Sequence, residues 1–173
     1  DRLAEIFLEL QNKGANNINL VTPTHYVPHI IKALDTVKGL DIPIVYNCGG
    51  YESVDTLKML DGYIDIYLPD FKYADSVLAK KYSKAEDYPI HVKRAIDEMV
   101  RQVGGCEFDE NGMMKRGIIV RHLVLPSYTD NSKRVIEYLY NTYGDDIYMS
   151  IMNQYTPLEL SLIHISEPTR HSL

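Results

Sequence analysis

Residues 63–73, YIDIYLPDFKY, carry the reading from which the fold follows. A run of β-branched and aromatic residues, with Ile64, Ile66 and Leu68 at strand spacing, ends abruptly in a charged cluster. Asp65 interrupts the run, and Pro69, which has no N–H to give a ladder, ends it. Asp70 and Lys72 then stand at the strand's carboxyl end with Phe71 between them. In parallel α/β architectures that end of the sheet is where ligands bind. Taken alone, the Asp–Lys pair reads equally well as a solvated ion pair. The elements on either side decide between the two.

Toward the amino terminus, Leu3, Ile6, Phe7 and Leu10 fall at helical spacing, so residues 1–13 predict an amphipathic helix that Gly14 ends. Residues 18–21 predict a short strand, followed by the turn Thr22-Pro23-Thr24-His25. Val27, Ile30, Ile31 and Leu34 predict a second helix with Pro28 in its first turn and Gly39 beyond its end. Residues 42–46 form the next strand, residues 47–50 a glycine-containing loop, and Val54, Leu57 and Leu60 mark a helix opened by Ser53. Beyond residue 73 the segment 74–88 is polar and reads as a long connection, suited to function or to a partner. Pro89 opens a helix carrying Val92, Ala95, Ile96, Met99, Val100 and Val103, which Gly104 and Gly105 end. After a turn at residues 109–112, residues 117–125 form the longest strand, broken by Arg121 and His122 and ended by Pro126. Asp130 or Asn131 caps a further helix, and residues 147–152 are the last strand. Five strands separated by helices predict right-handed βαβ units and a parallel sheet, closed or partly closed as a barrel.

Composition limits what such a sheet can serve. The 173 residues are 45% hydrophobic, one domain's worth with a sizeable core. Net charge is −6 with acids and bases mixed, which argues against a nucleic-acid groove or a polybasic membrane patch. No apolar run approaches the roughly 18 to 20 residues of a membrane span, and DRLAEIF lacks the pattern of a signal peptide. A cytoplasmic protein is predicted. The two cysteines, Cys48 and Cys106, are far apart and form no CxxC pair, so they predict neither a disulfide framework nor a zinc site.

The carboxyl rim of the predicted sheet collects Thr22, Thr24 and His25, then Asn47, Cys48 and Gly49, then Asp70 and Lys72, then Arg121 and His122, then Asn153 and Gln154. Singly, each has a plainer reading: the threonines cap a helix, His122 is a hydrogen-bonded core histidine, Asn153 is a turn residue. Together they form a polar and cationic rim. A cation inside an apolar strand, as Arg121 is, costs several kcal/mol unless an anion meets it. A ligand bearing a carboxylate or phosphate would meet it.

The runs NINLVTPTHY, IPIVYNCGGYESVDTLKMLDG, YIDIYLPDFKY, YSKAEDYP and IIVRHLVLPS resemble the PflX-type radical S-adenosylmethionine proteins, relatives of pyruvate formate-lyase-activating enzyme. The resemblance covers roughly residues 1–157. It implies an incomplete parallel (β/α)6 barrel of the radical S-adenosylmethionine type, binding a [4Fe-4S] cluster and S-adenosylmethionine and cleaving the latter reductively to a 5′-deoxyadenosyl radical. It also implies a flavodoxin or ferredoxin as electron donor, and a glycyl-radical enzyme or other protein as a possible class of substrate. Asp70 and Lys72 match the family's DxK motif, in which the lysine contacts the cofactor's carboxylate and the aspartate belongs to a monovalent cation site. Arg121 matches an arginine lining the cofactor site, where Asn47 and Gln154 are also placed. Thr22, Pro23 and Thr24 stand where the activating enzymes have the Gly-Gly-Glu turn that receives the methionine amino group, so that a threonine replaces the glutamate.

The family's CxxxCxxC motif is absent, and Cys48 and Cys106 supply neither the number nor the spacing of cluster thiolates. In the family this motif lies just upstream of the helix with which the sequence opens. The chain is therefore expected to be a fragment lacking the first strand and cluster loop, inactive alone. Residues 158–173 are expected to be a non-native tail, since LSLIHISEPTR reads as a translated sequencing adapter. Two other functional classes stay open: a Schiff-base lyase using Lys72, and a non-catalytic interaction domain presenting residues 74–88.

Overall fold

Alternating strand and helix patterns resolve into βαβ units in the computed structural model, which describes residues 2–154; the expected tail, residues 158–173, lies outside them. The order is α1 (Arg2–Asn12), β1 (Ile18–Val21), a 3-10 turn (Thr24–Tyr26), α2 (Val27–Thr36), β2 (Ile44–Cys48), α3 (Val54–Met59), β3 (Ile66–Pro69), α4 (Ser76–Ser83), α5 (Tyr88–Val103), β4 (Glu107–Phe108), β5 (Met114–Leu123), α6 (Thr129–Tyr143), a second 3-10 turn (Gly144–Asp146) and β6 (Tyr148–Met152). β1, β2, β3, β5 and β6 pair in parallel in that spatial order. Among the described residues the sheet is open, with β1 at one edge and β6 beside β5 at the other.

The strand at the centre of the sequence pattern starts later than its apolar residues suggest. Asp65 stands just ahead of β3, where its Oδ2 accepts the Ile44 N–H at 2.8 Å and its carbonyl accepts the Gly117 N–H at 3.0 Å. The residue that interrupts the run thus ties the start of β3 to both β2 and β5. Pro69 remains inside the ladder, opposite Cys48.

On β5, Ile118, Val120 and His122 are buried and alternate with the half-buried Ile119, Arg121 and Leu123. The buried apolar pair belongs to one core with Val92, Ala95, Ile96, Met99 and Val103 of α5 and Val135 and Leu139 of α6. Each large apolar side chain so buried contributes about 1.5 to 3 kcal/mol. The other face, which carries Arg121, is less covered, and on it the polar rim is built.

Three expectations are corrected. Residues 74–88 are not a long connection: Asp75 accepts the Leu78 N–H at 3.0 Å as an N-cap, and α4 follows, with Leu78 and Ala79 buried. A sixth strand exists, because β4 pairs antiparallel with the start of β5 through the turn at Asp109, whose Oδ1 accepts the N–H groups of Asn111 and Met113, each at 2.9 Å. Helix capping also differs. Ser53 makes no side-chain cap bond to α3, and α6 begins after Tyr128, which leaves Asp130 in the first turn and Asn131 turned inward.

Candidate functional site

Arg121 is the centre of the rim. Its Nη2 donates to Asp70 Oδ1 and to Asn47 Oδ1, each at 2.7 Å, so side chains from β5, from the end of β3 and from β2 converge on one nitrogen. Backbone pairing fixes the meeting: Asp70 bridges to Arg121 in parallel register, and the Phe71 N–H donates to the Arg121 carbonyl at 2.8 Å. Lys72 Nζ lies 3.6 Å from Asp70 Oδ2 and is nearly half exposed. One carboxylate therefore faces two cations. The Arg121 Nε is buried without a hydrogen-bond partner among the described residues, and such an orphaned donor costs about 1 to 3 kcal/mol until an acceptor reaches it.

The loop carrying Lys72 is held rigidly. Tyr88 accepts the Lys72 N–H at 3.0 Å and shares its own hydroxyl proton between the Asp70 carbonyl at 2.8 Å and the Gly49 carbonyl at 3.0 Å. From α6, Asn131 donates to the Lys72 carbonyl at 3.0 Å and accepts the Ala74 N–H at 2.7 Å. Gly50, at φ +80°, lies under this loop, and a Cβ there would run into the Asp70 carbonyl. Beside the loop a pocket of about 160 Å³ is lined by Asp70, Lys72, Tyr73, Leu123, Leu125 and Met152, ionic at one end and apolar at the other.

A second polar centre lies at the ends of β1 and β2. Thr24 Oγ1 donates to the Glu52 carboxylate, 3.0 Å from both oxygens, and Tyr46 Oη donates to Glu52 Oε2 at 3.2 Å. Glu52 is only 5% exposed. Burial pushes its carboxyl above the usual range, although the Thr24 and Tyr46 hydroxyls pull it down. These hydroxyl donors are neutral, so a buried acid stands at the rim without a lysine or arginine paired to it among the described residues. Sequence reading passed over Glu52 as part of a loop before a helix. Its signal was a carboxylate four residues after Cys48 in a strand-loop-helix segment already assigned to the rim.

The rim residues expected from sequence divide accordingly. Asp70, Lys72, Arg121 and Asn47 meet in one cluster, and Thr24 belongs to the Glu52 centre. Thr22 is exposed with φ +52°, and its N–H donates to the Asn47 carbonyl at 2.8 Å. Gln154 is exposed beyond β6. His122 lies on the opposite face: its Nδ1–H donates to the Phe71 carbonyl at 2.6 Å and its Nε2 accepts from Ser132 Oγ at 2.8 Å. Burial pushes its pKa down, so it is a neutral core histidine that supports the loop from behind.

Neither cysteine resembles a metal ligand. Cys48 is 2% exposed with its thiol pushed up by burial, and Cys106 lies near the Asp146 carbonyl, toward the opposite end of the sheet. No group of three His, Cys, Asp or Glu side chains able to hold a metal occurs among the described residues. Lys72, the residue expected to serve a Schiff-base lyase, is nearly half exposed and stands beside a carboxylate. No helix among the described residues is long and apolar enough to cross a membrane.

No family model and no solved structure matches the chain. The uncharacterized protein MJ0674 of Methanocaldococcus jannaschii is 31% identical over 147 residues, which cover 83% of this chain. The match spans 38% of the length of that relative.

Proposed function

We propose that this chain is the cofactor-binding part of a radical S-adenosylmethionine protein of the PflX type, its sheet forming part of an incomplete (β/α) barrel. The observation that carries the reading is the pairing of two receptors on one rim: cationic groups at Lys72 and the Arg121 Nε, which has no hydrogen-bond partner among the described residues, and at Glu52 a buried carboxylate with no lysine or arginine paired to it among those residues. A ligand with a carboxylate and an ammonium complements both. S-adenosylmethionine has this form, and its cleavage supplies a carbon-centred radical.

Lys72 and Arg121 would hold the carboxylate, Asp70 keeping the two cations apart and oriented. Thr24, its proton committed to Glu52, would present a lone pair to the ammonium, with the negative charge of Glu52 behind it. The apolar wall of Leu123, Leu125 and Met152 would exclude water from the reacting end. An iron-sulfur cluster does not fit the cysteines of this chain, so the reading requires thiolates from outside these residues. In this reading the whole protein works in the cytoplasm, takes electrons from a flavodoxin or ferredoxin, and acts on a protein such as a glycyl-radical enzyme.

The test is calorimetric titration of the longer protein, reconstituted anaerobically, with S-adenosylmethionine, together with measured release of 5′-deoxyadenosine. Lys72→Met, which keeps the stem and removes the charge, should weaken binding roughly ten- to a hundred-fold, since a hydrogen bond between charged groups contributes about 1.5 to 3 kcal/mol. Unchanged binding and cleavage would leave Lys72 a solvated rim residue and end the assignment.

A further inference from the structure

β6 has a neighbour on one flank only among the described residues: it pairs in parallel with β5, from Tyr148 opposite Ile119 to Met152 opposite Leu123. Successive residues of a strand turn their N–H and C=O groups to opposite flanks. The Met152 carbonyl accepts the Val124 N–H at 2.8 Å, so Tyr148, Ser150 and Met152 turn theirs to β5. The N–H and C=O of Met149 and Ile151 therefore point outward, and no partner strand or side chain meets them among the described residues.

Sheet edges in folded proteins are blunted by a charge, a proline, a bulge or a covering segment. YMSIM contains no charge and no proline, and its register to β5 runs without a shift over all five residues. Tyr148 is 52% exposed and Ile151 46%. Phe108 of β4, itself exposed, meets Tyr148 edge-on with centroids 5.4 Å apart, so the apolar flank continues past the start of β6. Ser150 and Met152 share the sheet face of their register partners Arg121 and Leu123, and Met152 walls the Lys72 pocket with Leu123 and Leu125. A strand laid along β6 would put alternate side chains on that face, beside the apolar end of the pocket.

Size and charge limit what can lie there. Five residues span about 17 Å. A two-fold pairing of β6 with a second copy would rest on this short ladder, against the roughly 1,200 Å² that a stable interface buries, and two chains of net charge −6 repel each other. A peptide needs less, since main-chain bonds supply its affinity and alternate side chains its selection. We infer that the outer edge of β6 binds an extended segment of a partner protein as an added strand, the segment being neutral or basic, with apolar side chains at alternate positions next to Met152. The edge binds in this way whether or not the Lys72 pocket holds S-adenosylmethionine.

Amide hydrogen exchange, followed by nuclear magnetic resonance on the chain of 173 residues, reads the site directly. In the free protein the amides of Met149 and Ile151 should exchange fast at every protein concentration, while those of Ser150 and Met152, bonded to β5, exchange slowly. The acetylated and amidated peptide KTVTVTK, at about ten times its Kd, should slow both outward amides about tenfold. At the same concentration KTPPPTK, which lacks N–H donors at its centre and cannot pair, should leave them fast. Ile151→Pro deletes an outward donor and no bond to β5, so it should fold and lose the slowing at Met149; the two peptides decide the matter should that variant not fold. No slowing by KTVTVTK at millimolar concentration, or equal slowing by both peptides, would overturn the site. So would outward amides that are already slow in the free protein: slow at every concentration, they are covered by another part of the chain, and slow only at high concentration, by a second copy.

Discussion

Asn131 and Lys72, 59 residues apart in sequence, meet where the Asn131 Nδ2 donates to the Lys72 carbonyl at 3.0 Å. With the Asn131 Oδ1 taking the Ala74 N–H, one side chain from α6 fixes the chain on both sides of Tyr73. The backbone from which the Lys72 side chain extends is therefore fixed from α6.

Removing that clamp should loosen the site before it unfolds the protein. Asn131→Ala leaves a carbonyl and an N–H without partners and should cost about 1 to 3 kcal/mol in urea denaturation. Asn131→Asp keeps the acceptor for Ala74 but turns an oxygen toward the Lys72 carbonyl, and should weaken S-adenosylmethionine binding more than the alanine variant does. Wild-type affinity in both variants would show that Lys72 needs no support from α6.

Glu52→Gln separates binding from stability. A buried carboxyl whose pKa burial raises is destabilising in its charged form, and this cost grows as pH rises from the ordinary carboxylate value through the raised one. Glutamine keeps an acceptor for Thr24 and Tyr46 and removes the charge. At neutral pH its melting temperature should equal or exceed that of wild type, while affinity for an ammonium-bearing ligand should fall by about tenfold. A fall of several degrees would make Glu52 a structural acid.

The two glycines after β2 should respond in opposite ways. Gly50→Ala combines a left-handed backbone with overlap against the Asp70 carbonyl and a 2.8 Å approach to Val92, and should cost more than about 4 kcal/mol. At Gly49 a Cβ would lie 3.6 Å from Lys72 Nζ, an ordinary contact. Gly49→Ala should change stability by no more than about 1 kcal/mol and act on ligand affinity alone. Thermal melts of the two variants decide the point.

His122 should give the fold an acid sensitivity. Burial lowers its pKa from the usual 6.5, so the unfolded chain binds a proton that the folded one refuses. Its contribution is complete above pH 6.5 and is lost as pH falls from there toward the lowered pKa, at up to about 1.4 kcal/mol for each pH unit. Asparagine is polar but does not titrate, so the denaturation profile of His122→Asn should be flatter than that of wild type below pH 6.5, whatever its absolute stability. Equal slopes in the two proteins would place the acid sensitivity elsewhere.

The parallel strands were legible because their β-branched runs are bounded by turn residues and separated by amphipathic helices of ordinary length. So was the cluster of Asp70, Lys72, Arg121 and Asn47, because the carboxyl end of each strand is found once the strands are. α4 was hidden by its composition: in SVLAKKYS only Leu78 and Ala79 are buried, with Tyr82 half-buried against the core, a short stripe among polar residues, and the cap at Asp75 passes for loop chemistry. β4 has two residues, both exposed, and no pattern of its own. Glu52 escaped because a carboxylate at the start of a helix usually serves the helix, and only the fold brings Thr24 and Tyr46 to it.

The shared flank of β5 also has a consequence in time. Its first residues pair with β4 through a turn closed by Asp109, whereas its bonds to β3 must bring Gly117 to Ile66 across two helices. Hairpins form in about 1 to 10 μs, and pairings of long sequence separation come later because the intervening chain must first be ordered. The hairpin is therefore expected to form before β5 enters the gap beside β3, so that the small strand that contributes nothing to the site would serve the order of folding. Asp109→Ala should accordingly slow refolding in stopped-flow measurements more than it speeds unfolding.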